Sequence, residues 1–188
     1  MHRQFLLSLL QQHTPHNKTE SDMLSELITF VKDYENCFDR DLSLGHITGS
    51  AWLVNKDLSH VFFTHHKKLD RWLQPGGHSD GDSNTLAVSM REASEESGIE
   101  DVFIQPVSDK IFDVDIHVIP ARKNEPEHKH YDVRFLLEAD MNQPLRISDE
   151  SNEVAWIAVE EIPAMCDEAS ILRMVEKMEI LRQQKITG

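Results

Sequence analysis

The sequence predicts an α/β fold, and three observations carry that prediction. Apolar residues recur at helical spacing near both ends of the chain, stretches of strand composition fill the middle, and a glycine-rich loop at residues 75–81 runs directly into an amphipathic segment that Gly98 can stop. With 188 residues, the chain is long enough to bury a real core, and its expected division is a single domain: helices over 1–40, a core over 41–162 and a helix over 163–188.

Taken in order, Phe5, Leu6, Leu9 and Leu10 form one helical stripe that ends at Thr14-Pro15. A second helix is expected from Thr19, with Asp22 as a capping-box-like partner and Leu24, Leu27, Ile28, Val31 and Tyr34 turned inward. The pair reads as a packing cap on a sheet, the other use being a homodimer surface or a gating arm. Ile47, Thr48, Ala51, Trp52, Leu53 and Val54 have strand composition, and Val61-Phe62-Phe63-Thr64 follows a polar turn at Asn55-Lys56-Asp57, so a hairpin is expected. His65, His66, Lys67, Lys68 and Arg71 make a concentrated basic stretch: either a solvated loop or cations that steer an anionic substrate.

Beyond Gly98, Val102-Phe103-Ile104 and residues 111–119 are expected as strands, 120–127 as a polar turn and 128–137 as another strand. Paired as a hairpin, they bring His117 opposite His130 and Asp115 opposite Asp132. This patch reads as a hydrogen-bonded polar face near a pocket, or as a second metal site, since His and Asp suit zinc. An acidic loop from Ser148, containing Glu150 and Glu153, feeds a short strand to Ile157. From Pro163 a helix is expected to pack Ile171, Met174, Val175, Met178 and Leu181 into the core.

The central segment carries the chemistry. Pro75, Gly76, Gly77 and Gly81 mark a tight loop, Ser83 or Asp82 can cap the helix that follows, and Gly98 suits a left-handed stop. Glu92, Glu95 and Glu96 fall within about 100° of one helix face, opposite Leu86, Met90, Ala93 and Ser97. Like charges one turn apart near the negative end of a helix dipole each cost a few tenths of a kcal/mol. Arg91 can pair with Glu95, and a hard divalent cation is the natural partner for the remaining charge.

These residues resemble the Nudix box, G-x5-E-x7-R-E-U-x-E-E-x-G-U with U aliphatic. Aligned from Gly77, the chain supplies Arg91, Glu92, Glu95, Glu96, Gly98 and Ile99 at the family spacing, with Ala93 in the aliphatic slot. Ser83 stands where the family has its first glutamate, beside Asp82. Weaker similarity runs from about Gly45 to Ile162. The resemblance implies an α/β/α sandwich with a mixed sheet, here with an extra N-terminal helical hairpin and a C-terminal helix. It also implies Mg²⁺- or Mn²⁺-dependent hydrolysis of a pyrophosphate bond in a nucleoside diphosphate linked to another moiety. Glu92, Glu95, Glu96 and the Gly76 carbonyl are then the expected metal ligands, with Arg91 supporting them. The general base is expected to be Glu92, or a loop glutamate such as Glu150 or Glu153. Gly77, His78, Lys68 and Arg71 are the candidates for contacting substrate.

A net charge of −14 argues against a nucleic-acid polymer or anionic membrane as partner, and no apolar run approaches the ~20 residues of a membrane span. A nucleotide-type small molecule stays compatible, because bound metal inverts a site's charge preference. Two cysteines, Cys37 and Cys166, fit a reducing, cytoplasmic setting. Two other functions are open: a catalytically weak nucleotide-binding or sensing module, which Ser83 suggests, and an interaction protein built on the terminal helices.

Overall fold

A computed structural model describes residues 2–122 and 126–187. The chain begins with α1 (Arg3–Gln12) and α2 (Lys18–Asp33). Leu6 and Leu10 are fully buried and centre the inward arc of α1, which leaves Phe5 about 120° away and 52% exposed instead of inward. The start of α2 also differs from expectation. Asn17, not Thr19, is the cap, accepting from the Glu20 N–H at 3.0 Å, while Asp22 pairs with Lys18. Asparagine offers the same acceptor two residues earlier, so the helix gains part of a turn.

The strands are β1 (Gly45–Val54), β2 (His60–His66), β3 (Arg71–Leu73), β4 (Gly76–His78), β5 (Ile104–Ile119), β6 (His128–Ala139) and β7 (Ser151–Ala158). Helix α3 (Thr85–Ser97) lies between β4 and β5, and α4 (Ile162–Met165) and α5 (Ala169–Thr187) end the chain, so the helix expected from Pro163 is two pieces. The sheet runs β3-β2-β1-β6-β5, with β4 added to β1 and β7 to β2. Strand β1 pairs antiparallel with β2 and β4 but parallel with β6, which makes the sheet mixed. It is buried at every position, as a strand covered on both faces must be.

Alternation along β1 and β6 sorts the core into two layers. Ile47, Ala51, Leu53, Val133 and Phe135 pack with Leu6, Leu27 and Val31 of the first two helices and with Ala93 of α3. Trp52, Val54 and Leu136 face the other way, onto Ile171, Met174, Val175 and Met178 of α5. The result is an α/β/α sandwich in which α1 and α2 act as a cap. Each fully buried aliphatic side chain contributes about 1.5–3 kcal/mol.

Strand β5 lies at the sheet edge, where the two helix layers are tied together ionically. Asp113, fully buried, accepts from Arg173 at 2.7 and 2.8 Å and from Lys177 at 2.6 Å, and Arg134 lies 3.4 Å away. Lys177 also reaches Glu20 of α2 at 2.6 Å. The expected strand at Val102-Phe103 is instead a 3₁₀ turn, Asp101–Phe103, closed by the Phe103 N–H donating to Glu100 O. Val102 is 81% exposed there and has no apolar face to join. The β5–β6 register sets His117 against His130 and Asp115 against Asp132, as the hairpin reading expects, while the turn over 120–127 lies partly outside the described residues. Among the described residues, no helix is long and apolar enough to cross a membrane.

Candidate active site

Helix α3 carries its carboxylates to β4 because two glycines leave room for them. The cap of α3 is Asn84, accepting from Ala87 N–H at 3.2 Å, and Asp82 accepts from Asn84 N–H at 2.9 Å. Neither Ser83 nor Asp82 caps the helix as expected, since Asn84 places the same kind of acceptor one residue closer. Gly98 ends the helix at φ 73°, in the left-handed region foreseen for it.

Glu96 accepts a hydrogen bond from the Gly76 N–H at 3.0 Å. The Glu92 carboxylate lies against Gly77 so closely that a Cβ there would come within 2.4 Å of its Cδ. A Cβ on Gly76 would instead strike Ser50 Oγ of β1. The twin glycine is thus pressed between helix acids and sheet, a close approach that only a residue without Cβ permits. Arg91 donates from Nη2 to Glu92 at 2.7 Å and to the His78 carbonyl at 3.0 Å. Its distance to Glu95, the partner expected from spacing, is 3.8 Å. Glu95 itself points outward, with its side chain 64% exposed.

Burial pushes the Glu96 carboxyl up to about 8, against the Gly76 N–H and with the help of the charges on Glu92, Glu150 and Glu95. Glu92 is raised as well, mainly by burial, with Arg91 opposing. Two half-desolvated acids, of which only Glu92 is paired with a guanidinium, make an oxygen-only, electronegative site. Such a donor set fits a hard divalent cation such as Mg²⁺ or Mn²⁺.

The NUDIX domain family model matches residues 46–178. This chain belongs to the NUDIX domain family. A probable DHNTP pyrophosphohydrolase of Lactococcus lactis subsp. cremoris is 33% identical over 96 residues, 50% of this chain and 54% of that protein. The match therefore spans about half the length of that curated relative. Among solved structures, a C. elegans Ap4A hydrolase in a binary complex aligns with a TM-score of 0.59 at 14% identity, covering 73% of this chain and 98% of that one. A NUDIX-family hydrolase from Clostridium perfringens gives 0.54 at 22%, covering 72% and 97%. The E. coli dihydroneopterin triphosphate pyrophosphohydrolase gives 0.54 at 14%, covering 70% and 92%. At these identities the likeness shows the shared fold.

Within the Nudix frame, the structure brings together Gly76, Gly77, His78, Arg91, Glu92, Glu95 and Glu96, and Glu150 is near enough for its charge to act on Glu96. No hydrogen bond or ion pair among the described residues ties Glu153, Lys68 or Arg71 to this group. Glu153 stands opposite His65 in the β2–β7 pairing, the Lys68 N–H donates to His66 Nδ1 at 3.1 Å, and Arg71 pairs with Glu168 ahead of α5. Arg91 is anchored by Glu92 and the His78 carbonyl, so the box arginine is held with Ser83 in place of a glutamate.

The hairpin patch is hydrogen-bonded and ion-paired, as the first of its two readings expects. Asp132 accepts from Thr48 Oγ1 at 2.8 Å, Ser50 Oγ at 2.7 Å and Arg134 Nε at 2.7 Å. Asp115 lies 3.3 Å from Arg134 and 3.5 Å from Arg173, and these guanidiniums with His117 hold it well below the usual carboxylate range despite burial. Both carboxylates thus balance buried cations, while His130 packs against His46 and His78, which the pairing argument did not include. The available signal was the polar alternation His46, Thr48, Ser50 in an otherwise apolar strand. Burial, followed by the neighbouring imidazoles, pushes His130 down to about 2.

Proposed function

We propose that the chain is a Mg²⁺- or Mn²⁺-dependent pyrophosphohydrolase that cleaves a pyrophosphate bond in a nucleoside diphosphate linked to another moiety. The observation that carries this reading is the pair of half-desolvated glutamates, Glu92 and Glu96, pressed onto the Gly76-Gly77 backbone with Arg91 bridging helix and strand. Glu92, Glu95, Glu96 and the Gly76 carbonyl would hold the cation. When bound, it supplies Lewis-acid polarisation of phosphoryl oxygens and a water of lowered pKa.

The chain's own groups account for the rest. Glu92 is the general base in this reading, because burial raises its proton affinity and Arg91 fixes its orientation. Among loop acids, Glu150 ranks above Glu153, since its charge reaches Glu96. Arg91 holds β4 against α3 through the His78 carbonyl, which keeps Gly76 and Gly77 in place for substrate. His78 contributes its backbone carbonyl, which holds Arg91, and Lys68 and Arg71 draw an anion towards a chain whose net charge of −14 otherwise repels it. Free Cys37 and Cys166 suit the cytoplasm.

The test is a panel of nucleoside triphosphates, dinucleoside polyphosphates, ADP-ribose-type sugars, coenzyme diphosphates and dihydroneopterin triphosphate, assayed with Mg²⁺ and with Mn²⁺. The last compound is included because of the Lactococcus relative's name. Glu92→Gln should lower turnover on the best substrate by about 10²–10⁴-fold. Turnover unchanged in that variant, or in chelator, contradicts the reading. Ser83 favours a second reading, a nucleotide-binding module, which predicts saturable binding and no product.

A further inference from the structure

On the sheet face opposite α3, three imidazoles converge from three different strands. His46 of β1 is the register partner of His130 in β6, and His78 of β4 is the partner of Thr48, two residues along β1 from His46. Side chains at these positions share a face by strand alternation. The ring centroids form a nearly equilateral triangle: 4.9 Å for His46–His78, 4.8 Å for His46–His130 and 4.9 Å for His78–His130. One ligand nitrogen from each lies within 4.8 Å of the other two. The Nε2 atom of His130 is buried and makes no hydrogen bond with the protein.

We propose that His46, His78 and His130 form a transition-metal site of the Zn²⁺ class, separate from the carboxylate site on α3. Nitrogens bound tetrahedrally at 2.0–2.1 Å stand about 3.3 Å apart, so modest side-chain rotation closes the triangle around an ion. Three imidazoles select a borderline metal over Mg²⁺, which demands oxygen ligands, whereas the glutamates of α3 do the reverse. The three positions are fixed by backbone pairing in the middle of a sheet, the kind of support that preorganises a ligand set. A three-histidine set leaves one coordination position for water or a substrate oxygen.

The packing also argues against a purely structural cluster. Burying an imidazole is economical when its nitrogens are satisfied, and here His117 and His128 crowd His130 as well, each with its ring 5.3 Å away. His117 is held by Asp115 Oδ2 at 3.2 Å, which leaves it beside the triangle but not in it. The site is also linked mechanically to the box, because the His78 carbonyl accepts from Arg91.

The experiment uses the full chain, stripped with chelator and dialysed, titrated with ZnCl₂ by calorimetry and with CoCl₂ by visible absorption. The expected results are saturable binding of one Zn²⁺ per chain and the intense bands of four-coordinate Co²⁺. His78→Asn and His130→Asn should each weaken Zn²⁺ by more than the roughly 10–100-fold that loss of an outer partner costs. A Glu92→Gln/Glu96→Gln double variant should keep Zn²⁺ while losing its Mg²⁺ response, so the two sites fail separately. No saturable Zn²⁺ binding, or weak six-coordinate Co²⁺ bands in the unsubstituted chain, overturns the proposal without recourse to any variant. Zn²⁺ affinity unchanged in both histidine variants, or lost in the glutamate variant, also overturns it.

Discussion

Replacing Glu96 by glutamine keeps the acceptor for the Gly76 N–H and removes a charge that the folded chain holds at a cost. Without metal, that carboxyl titrates at about 8 when folded, against an ordinary value of 4.5. Between those values the folded chain carries a proton that the unfolded chain has released, so stability falls as pH rises from 4.5 through 8. At about 1.4 kcal/mol per unit, the full interval sets an upper bound of roughly 5 kcal/mol, and partial solvation reduces it to a few. Relief of helix repulsion alone is worth only about 0.5 kcal/mol, so burial dominates. Urea unfolding in chelator at pH 5 and pH 8.5 measures this directly. Glu96→Gln should match the unsubstituted chain at the lower pH and exceed it by about 1–4 kcal/mol at the higher one. Added Mg²⁺ should close most of that gap by stabilising the unsubstituted chain, in proportion to ligand concentration over Kd. A variant no more stable at pH 8.5, with the same pH slope as the parent, refutes the claim that Glu96 is desolvated and uncompensated.

Three other outcomes follow from the same geometry. Asp113→Asn strips the buried partner from Arg173 and Lys177 and should cost about 3–5 kcal/mol, read as a lower urea midpoint at unchanged m-value. Glu20 and Asp115 are both held below their ordinary values of 4.5 and 3.8, Glu20 through hydrogen bonds from His13, Lys177 and the His16 N–H that outweigh burial. Their contribution is present above those values and lost as pH falls below them; between about 4.5 and 6.5 the loss from buried neutral His130 on acidification offsets the gain from Glu96, so melting temperature in chelator should be flat across that window and drop on both sides. Gly77→Ala places a methyl group where the Glu92 carboxylate sits, and should reduce both the Mg²⁺-dependent melting shift and turnover by at least about 10-fold while leaving the fold intact by circular dichroism.

What was legible in the sequence was what depends on local spacing. Gly98 at the end of α3, the shared face of Glu92 and Glu96, and the pairing of His117 with His130 across a hairpin all follow from fixed periods. Choices among adjacent equivalents were not legible: Asn84 and Asn17 cap where Ser83 and Thr19 have the same chemistry one or two residues away. Which acid is desolvated is a packing outcome, for Glu95 and Glu96 are neighbours, yet only Glu96 meets the Gly76 N–H. Long-range pairing was beyond reach altogether. The parallel register of β1 with β6 brings His46 beside His130 over a separation of more than eighty residues, and no periodicity announces it. The same holds for Asp113, an acid in a strand whose three cationic partners come from β6 and α5, one of them, Lys177, shared with Glu20 of α2.

The most direct test of the proposed chemistry is hydrolysis of the best panel substrate in ¹⁸O-water with Mg²⁺, with products resolved by mass. Attack of water on phosphorus predicts a single ¹⁸O in one phosphate-bearing product, metal-dependent and suppressed in Glu92→Gln. Nucleotide bound but no label incorporated with either Mg²⁺ or Mn²⁺ would contradict a pyrophosphohydrolase and leave a binding module in its place.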